Sequence, residues 1–256
     1  MPRVRSRLAR RQAAASVTGE GVVLTSTRPE AVVAWARRGL GPLVVAPVGR
    51  WTLVAPAGRP KARYPYDDAV RTLAGRPASR RMRPAVGFFR VGRQAVVTVH
   101  PPHRWAATRW LIWTPRDGVV RPRGLPVATP EDVVHAAGRD SAETIAAVTE
   151  IVGDVGASAQ EILAALLGVL DLPGVDVLTG AVAAADLVDA RLVVPHDRYA
   201  RAFDRVVRER DGEQAEDVDD AEGPAAGALR RGLRADPRHD PHPGPHPDPH
   251  AEERRR

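Results

Sequence analysis

Short apolar runs separated by turn residues make up most of the first half of the chain. Runs rich in Val, Leu and aromatic residues lie at residues 21–26, 43–45, 51–55, 85–89, 95–99 and 110–114. Short runs of this kind, bounded by Gly, Pro or charged residues, predict β-strands. Four of the runs are paired around the tripeptide Val-Gly-Arg, at residues 48–50 and 91–93, which predicts two β-hairpins. A third hairpin is predicted around Asp117-Gly118, because this dipeptide favours a type I′ turn.

A short helix is predicted before each of the first two hairpins. Thr27 and Glu30 have the spacing of a capping box, with Pro29 in the first turn, and predict that a helix begins there. Asp67 and Asp68 open a second predicted helix. Since a helix and a Val-Gly-Arg hairpin follow one another twice, we predict an internal duplication of a helix–hairpin unit.

From residue 129 onward the apolar positions follow a helical period. Three pairs have the spacing of capping boxes: Thr129 with Asp132, Asp140 with Glu143, and Ser158 with Glu161. A further helix is predicted over residues 177–194. Beyond Pro195 a last helix carries Tyr199, Phe203 and Val206 on one side, and its apolar period is lost after Asp211.

These elements predict an α+β protein, because strands and helices are partly segregated along the chain. Residues 1–20 form a flexible basic arm and residues 21–123 a basic, strand-rich region with mixed elements. Residues 124–210 form an acidic helical region that packs on or beside it. Residues 211–256 form a tail that is first acidic and then rich in His and Pro, and its composition predicts disorder.

Charge is divided between the two halves to an unusual degree. Residues 1–123 hold 24 Lys and Arg against 5 Asp and Glu, whereas residues 124–222 hold 7 against 21. Such a division creates opposing electrostatic fields, which influence partners and association more than fold. The acidic half either docks on the basic half of the same chain or shields it until another polyanion competes.

The arginines of the first half are candidate phosphate contacts. The candidates are Arg76, Arg80, Arg81, Arg83, Arg90, Arg93, Arg104 and Arg109. Phe88, Phe89 and Trp105 lie among them, and aromatic rings could stack on unpaired bases. In the alternative interpretation the aromatic residues belong to the core and the arginines form a solvated face. No known nucleic-acid-recognition motif accompanies the arginines.

Histidines in the tail are the candidate metal ligands. His239, His242, His246 and His250 alternate with prolines and aspartates, a composition that can chelate a divalent transition metal weakly. The prolines favour an extended chain without a fixed pocket. His100 and His103 are three residues apart, like His239 and His242. The two prolines between His100 and His103 exclude a helix there. No other cofactor is predicted.

Catalytic motifs are absent from the sequence. It contains no G-x-S-x-G elbow, Walker loop or H-E-x-x-H sequence, and no G-x-G-x-x-G after a predicted strand. The leading hypothesis is a non-enzymatic binding or regulatory module that contacts an unknown protein partner. The alternatives are a nucleic-acid-binding protein that uses the arginine-rich half and an enzyme without a linear motif. No apolar run approaches the ~20 residues that cross a bilayer, so we expect a cytoplasmic protein without membrane contact.

Overall fold

The strands that the structure describes form one antiparallel sheet. The computed structural model describes residues 20–103 and 106–221. The strands are β1 (Gly21–Thr25), β2 (Leu43–Val48), β3 (Trp51–Pro56), β4 (Ala85–Val91), β5 (Gln94–His100), β6 (Arg109–Thr114), β7 (Gly118–Val120) and β8 (Arg191–Val193). In space their order is β7-β6-β5-β4-β1-β3-β2-β8. The first strand along the chain therefore lies near the middle of the sheet, and two three-residue strands form its edges.

The helices among the described residues are α1 (Pro29–Ala36), α2 (Ala69–Ala74), α3 (Pro130–Ala136), α4 (Ala142–Gly153), α5 (Ala159–Val169), α6 (Val175–Thr179) and α7 (Asp197–Ala221). The first six of them cover the two faces of the sheet. Two 3₁₀ turns, Arg80–Met82 and Ala184–Asp186, complete the elements. The described residues thus confirm the prediction of a mixed α+β fold. The two terminal segments predicted to be disordered fall largely outside the described residues.

Two apolar cores result, one on each face of the sheet. On the first face α3, α4, α5 and α6 pack against side chains such as Phe88, Leu53 and Trp113. On the second face α1 and α2 pack against Val23, Val54 and their neighbours. Successive strand residues point to opposite faces, so the continuous apolar runs supply both cores. Each fully buried Leu or Phe stabilises the fold by about 1.5–3 kcal/mol.

Both Val-Gly-Arg hairpins are present and share one turn geometry. Val48 pairs with Trp51 and Val91 pairs with Gln94, which leaves two residues in each loop. Gly49 and Gly92 have φ of 59° and 61°, as the first central position of a type II′ turn requires. The hairpins flank β1, but the first contacts it through its second strand, β3, and the second through its first strand, β4. The duplication itself stays a prediction.

The third hairpin is present with a different turn from the predicted one. Thr114 pairs with Gly118, so the loop holds three residues rather than two. Gly118 has a φ of 64°, whereas Asp117 is not among the described residues with positive φ. The Asp117 backbone N–H donates to Thr114 Oγ1 at 3.0 Å, and this local hydrogen bond stabilises the longer loop.

Two of the four predicted capping boxes are confirmed, at Thr129 with Asp132 and at Ser158 with Glu161. The box at Thr27 is wrong: Arg28 is the N-cap residue of α1, and the Thr27 hydroxyl donates to the Arg81 carbonyl at 2.6 Å. The box at Asp140 is also wrong, because Ser141 caps α4 by accepting from the Thr144 N–H at 3.3 Å.

The helix predicted over residues 177–194 is wrong as well. The short helix α6 ends at Thr179, the following Gly180 has a φ of 80°, and a 3₁₀ turn comes next. The chain then forms β8, in which Val193 pairs with Leu43 of β2. The otherwise unpaired backbone of β2 provides hydrogen-bonding partners that helical periodicity does not reveal.

Helix α7 crosses a boundary between two compact units. The first unit ends at Arg205 and the second begins at Val206. Of the second unit the structure describes residues 206–221, which continue the helix beyond the point where the apolar period is lost. None of the helices in the described part of the chain combines the length and apolarity needed to cross a bilayer.

Candidate binding cleft

An apolar cleft lies where the ends of α1 and α2 meet the beginning of α7. Its cavity has a volume of about 350 Å³. We call it the aromatic cleft and define it by its lining residues: Arg38, Gly39, Leu40, Tyr66, Thr72, Gly75, Arg76, Pro77, Tyr199 and Phe203. All of them belong to the first compact unit. A cavity of this size with a few polar groups is typical of sites for small ligands or for a partner's side chain.

The wall formed by α1 and α2 is held together by Trp35 and Arg76. The Trp35 indole N–H donates to the Pro77 carbonyl at 3.1 Å, which ties the end of α2 to α1. The Arg76 guanidinium lies 3.7 Å from the centroid of the Trp35 ring and donates to the Trp35 carbonyl. A β-carbon on Gly39 would collide with Arg76 Nη1, so the absence of a side chain at Gly39 makes room for this arrangement.

The opposite wall is the first part of α7. The rings of Tyr66 and Phe203 meet edge to face, with centroids 4.9 Å apart. The start of α7 is attached by an ion pair between Lys61 and Asp197 and by the His196 N–H, which donates to the Arg37 carbonyl at 3.2 Å. Aromatic side chains with fixed neighbours offer a large contact area at low cost in conformational entropy.

Arg76 has an unusual electrostatic environment. Burial and the nearby charge of Arg38 together lower the pKa of Arg76 to about 10. Arg76 remains charged at neutral pH, so a cation is held at low solvation within an apolar cavity. An ionisable group with a shifted pKa in a cleft indicates a candidate functional site.

The other predicted phosphate contacts fall into two separate groups. Arg80, Arg81 and Arg83 precede β4, and Arg109 begins β6, at the same end of the sheet because Val99 pairs with Arg109 and Ala85 with His100. Arg90 and Arg93 lie at the far end of the β4–β5 hairpin, roughly 20 Å away along seven strand residues. Arg104 lies outside the described residues.

Several of these arginines have contacts within the protein. Arg83 donates to the carbonyls of His103 and Ala106, at 3.0 and 2.7 Å. Arg90 pairs with Glu20 at 3.2 Å and Arg109 pairs with Asp132. The side chains of Arg80, Arg81 and Arg93 are exposed.

Both phenylalanines expected beside these arginines are core residues. Phe88 and Phe89 are fully buried on opposite faces of the sheet, and Trp113 is fully buried as well. Trp110 is partly buried, and Trp105 lies outside the described residues. The interpretation that base stacking involves Phe88 and Phe89 is therefore wrong, since neither ring reaches the surface.

A second cavity, of about 410 Å³, lies between the β4–β5 turn and the beginning of α5. Arg90, Arg93 and Ser158 line it. The capping box of α5 already uses two of the helix's free N–H groups, and the Glu161 carboxylate brings negative charge into the cavity. These features do not favour an anion there.

No group of three or more potential metal ligands occurs among the residues that the structure describes. The predicted ligands His239, His242, His246 and His250 lie outside them. His100 is buried, with Nδ1 3.1 Å from Thr108 Oγ1, and His103 is exposed in the following loop. Burial, together with the charge of Arg83, lowers the pKa of His100 to about 4.

Sequence reasoning missed the aromatic cleft. Tyr199 and Phe203 are four residues apart on one side of a predicted helix, and this spacing indicates an apolar helix face. Their partners, Tyr66 and Arg76, come from loops more than one hundred residues earlier, and no periodicity connects them. No protein-family model, curated protein or solved structure matches the chain. The cleft is therefore interpreted from its own geometry.

Proposed function

We propose that the protein is a non-enzymatic binding module that acts through protein contacts, with the aromatic cleft as its docking site. An apolar side chain of the partner would occupy the cavity, in contact with Tyr66, Tyr199 and Phe203. The observation that carries the proposal is an open cavity of about 350 Å³ lined by three aromatic rings. Buried aromatic anchors in such pockets supply most of the binding energy in many protein interfaces.

The neighbouring surface supports this proposal. Tyr66 is 42% exposed, so part of an aromatic ring that lines the cleft is also open to the surface. Aromatic residues are enriched in protein interfaces, where they combine a large apolar area with a polar tip.

The test uses the full chain and acetyl-phenylalanine amide as the probe, with saturation-transfer NMR as the measurement. Tyr66→Ala removes one of the three aromatic rings that line the cleft, and Tyr64→Ala is the matched control because Tyr64 does not line the cavity. We expect binding to wild type and Tyr64→Ala, and about fivefold weaker binding to Tyr66→Ala, since an aromatic contact contributes about 1 kcal/mol. Equal binding by Tyr66→Ala, or equal saturation of acetyl-alanine amide, would contradict the proposal.

As a second function we propose nucleic-acid binding through Arg80, Arg81 and Arg83. The specific observation in its favour is that Arg80 and Arg81 are exposed in the 3₁₀ turn that precedes Arg83. The exposed guanidinium groups of Arg80 and Arg81 could contact successive phosphates without reading base sequence, beside Arg83, which also donates to two backbone carbonyls.

This second function predicts a dependence on salt. The test variant carries both Arg80→Glu and Arg81→Glu. The control variant carries Arg121→Glu and Arg123→Glu, which change the net charge by the same amount at two other exposed arginines. Using single- and double-stranded DNA, we expect the first variant to lower the slope of log K against log salt by about 1 per lost phosphate contact. An equal effect in both variants, or no binding near ~50 mM salt, would rule out this site.

A further inference from the structure

Two arginines reach the aromatic cleft from the ends of two helices. Arg38 follows α1 and Arg76 follows α2. Arg38 Nε donates to the Ala34 carbonyl at 3.2 Å, and Arg76 Nη2 donates to the Trp35 carbonyl. A guanidinium has five N–H donors, so these two hydrogen bonds leave both groups with donors for a ligand.

Three acidic residues close in sequence to the cleft lining have partners of their own. Asp67 pairs with Arg59 at 3.1 Å, Asp68 caps α2, and Asp197 pairs with Lys61. Asp204, next to Phe203, has an interaction as well. Within the described residues no ion pair involves Arg38 or Arg76, so the structure supplies neither with a counter-ion.

The carbonyl ends of α1 and α2 do not cancel this charge. A helix C-terminus carries at most about −0.5 elementary charge, so the two ends together offset about half of the two arginine charges. The remaining charge is positive. Arg76 is partly buried beside the apolar cavity, whereas Arg38 lines the cavity and is exposed. The lowered pKa of Arg76 has the same origin, because burial and Arg38 both disfavour its cationic form.

We infer that the partner segment is acidic, with an Asp or Glu carboxylate beside its apolar side chain, and that Arg38 and Arg76 bind this carboxylate. The inference rests on the proposed docking function of the cleft. An apolar side chain would fill the space between Tyr66, Tyr199 and Phe203, and the adjacent carboxylate would supply the missing counter-ion. A carboxylate fits better than a phosphate ester, because a dianion costs more to remove from water into an apolar cavity.

The test compares two capped dipeptides that differ in one group, acetyl-glutamyl-phenylalanine amide and acetyl-glutaminyl-phenylalanine amide. Their affinities for the full chain are measured by calorimetric titration at physiological ionic strength. We expect the glutamyl peptide to bind about tenfold more tightly, a ratio that corresponds to ~1.4 kcal/mol. Equal affinities of the two peptides would overturn the acidic-partner inference and leave the docking function intact. The docking function itself fails if Tyr66→Ala changes the affinity of neither peptide.

Arg38→Gln tests which group binds the carboxylate. Arg37→Gln is the matched control, since Arg37 is exposed, adjacent and outside the cleft lining. We expect the tenfold preference to persist in Arg37→Gln and to fall to about twofold in Arg38→Gln. A preference that survives in Arg38→Gln would overturn the assignment. Tighter binding of acetyl-phosphotyrosine amide than of the glutamyl peptide would overturn the choice of carboxylate.

Discussion

Depth below the surface separates two groups of aromatic residues that look alike in the sequence. Phe88 and Phe89 are fully buried in the two cores, whereas Tyr66 and Phe203 line the aromatic cleft. Residue type therefore indicates a large apolar surface in both cases, and the surroundings decide whether it contributes to stability or to binding. The same holds for the arginines, because Arg76 stacks on Trp35 while Arg93 faces solvent.

His100 gives the protein a predicted sensitivity to acid. Its pKa is lowered from 6.5 to about 4 in the folded state, chiefly because burial disfavours the imidazolium. Between these two pH values the unfolded chain binds a proton that the folded protein does not. The contribution to stability is therefore complete above pH 6.5 and decreases as the pH falls toward 4, by about 2 kcal/mol at pH ~5.

Urea unfolding at about pH 7 and about pH 5 measures this effect. His100→Gln removes the titrating group, so its free energy of unfolding should decrease less on acidification than that of wild type. His196→Gln is the control, because His196 is exposed. The same decrease in wild type and in His100→Gln would show that His100 is not the source of the acid sensitivity.

At the scale of elements, local hydrogen bonds explain which predictions succeeded. The boxes at Thr129 and Ser158 involve groups three residues apart, so the sequence contains both partners. Thr27 has an equally suitable sequence, yet its hydroxyl bonds to the Arg81 carbonyl, which lies 54 residues away. A hydrogen-bonding partner far away in the sequence thus competes with the backbone N–H groups of the nearby helix. The spacing of residues in the sequence does not reveal such a partner.

The capping box of α5 predicts a measurable loss of stability. Ser158→Ala removes the hydroxyl that accepts from the Glu161 N–H at 3.2 Å, and we expect a loss of about 1 kcal/mol. For a domain of this size this corresponds to a decrease in Tm of about 2–4 °C. Thr149→Ala is the control, since the Thr149 hydroxyl bonds back to the Ile145 carbonyl within α4 and caps nothing. Equal melting temperatures for Ser158→Ala and Thr149→Ala would contradict the role of the cap.

The edge strand β8 is an element that the sequence pattern did not predict. Residues 177–194 contain enough Val, Ala and Leu for a helical interpretation. Leu43, Val44 and Val45 of β2 instead pair with residues 191–193. These residues form a strand because they hydrogen-bond to the edge of the sheet. Strand β2, which provides that edge, lies almost 150 residues earlier in the chain.

At the scale of the whole molecule, apolar packing joins the basic and acidic halves more than charge does. Lys61 pairs with Asp197 and both side chains are exposed, whereas Arg109 is exposed but its partner Asp132 is only 18% exposed. Exposed ion pairs contribute only about 0–1 kcal/mol each. The helices of the acidic half share one core with the sheet, in which Leu163, Leu166 and Leu167 are fully buried. Burial of these side chains therefore stabilises the junction of the two halves more than the ion pairs do.

The sequence alone determined the hairpins, the helical second half and the mixed α+β class, because these depend on periodicities and caps that span a few neighbouring residues. The tertiary structure alone decided the order of the strands, the helices on both faces and the aromatic cleft. The cleft unites Arg38, Tyr66, Arg76 and Phe203 from three separate segments. Long-range packing brings these segments together, and the local sequence pattern of one segment does not indicate which other segments it contacts.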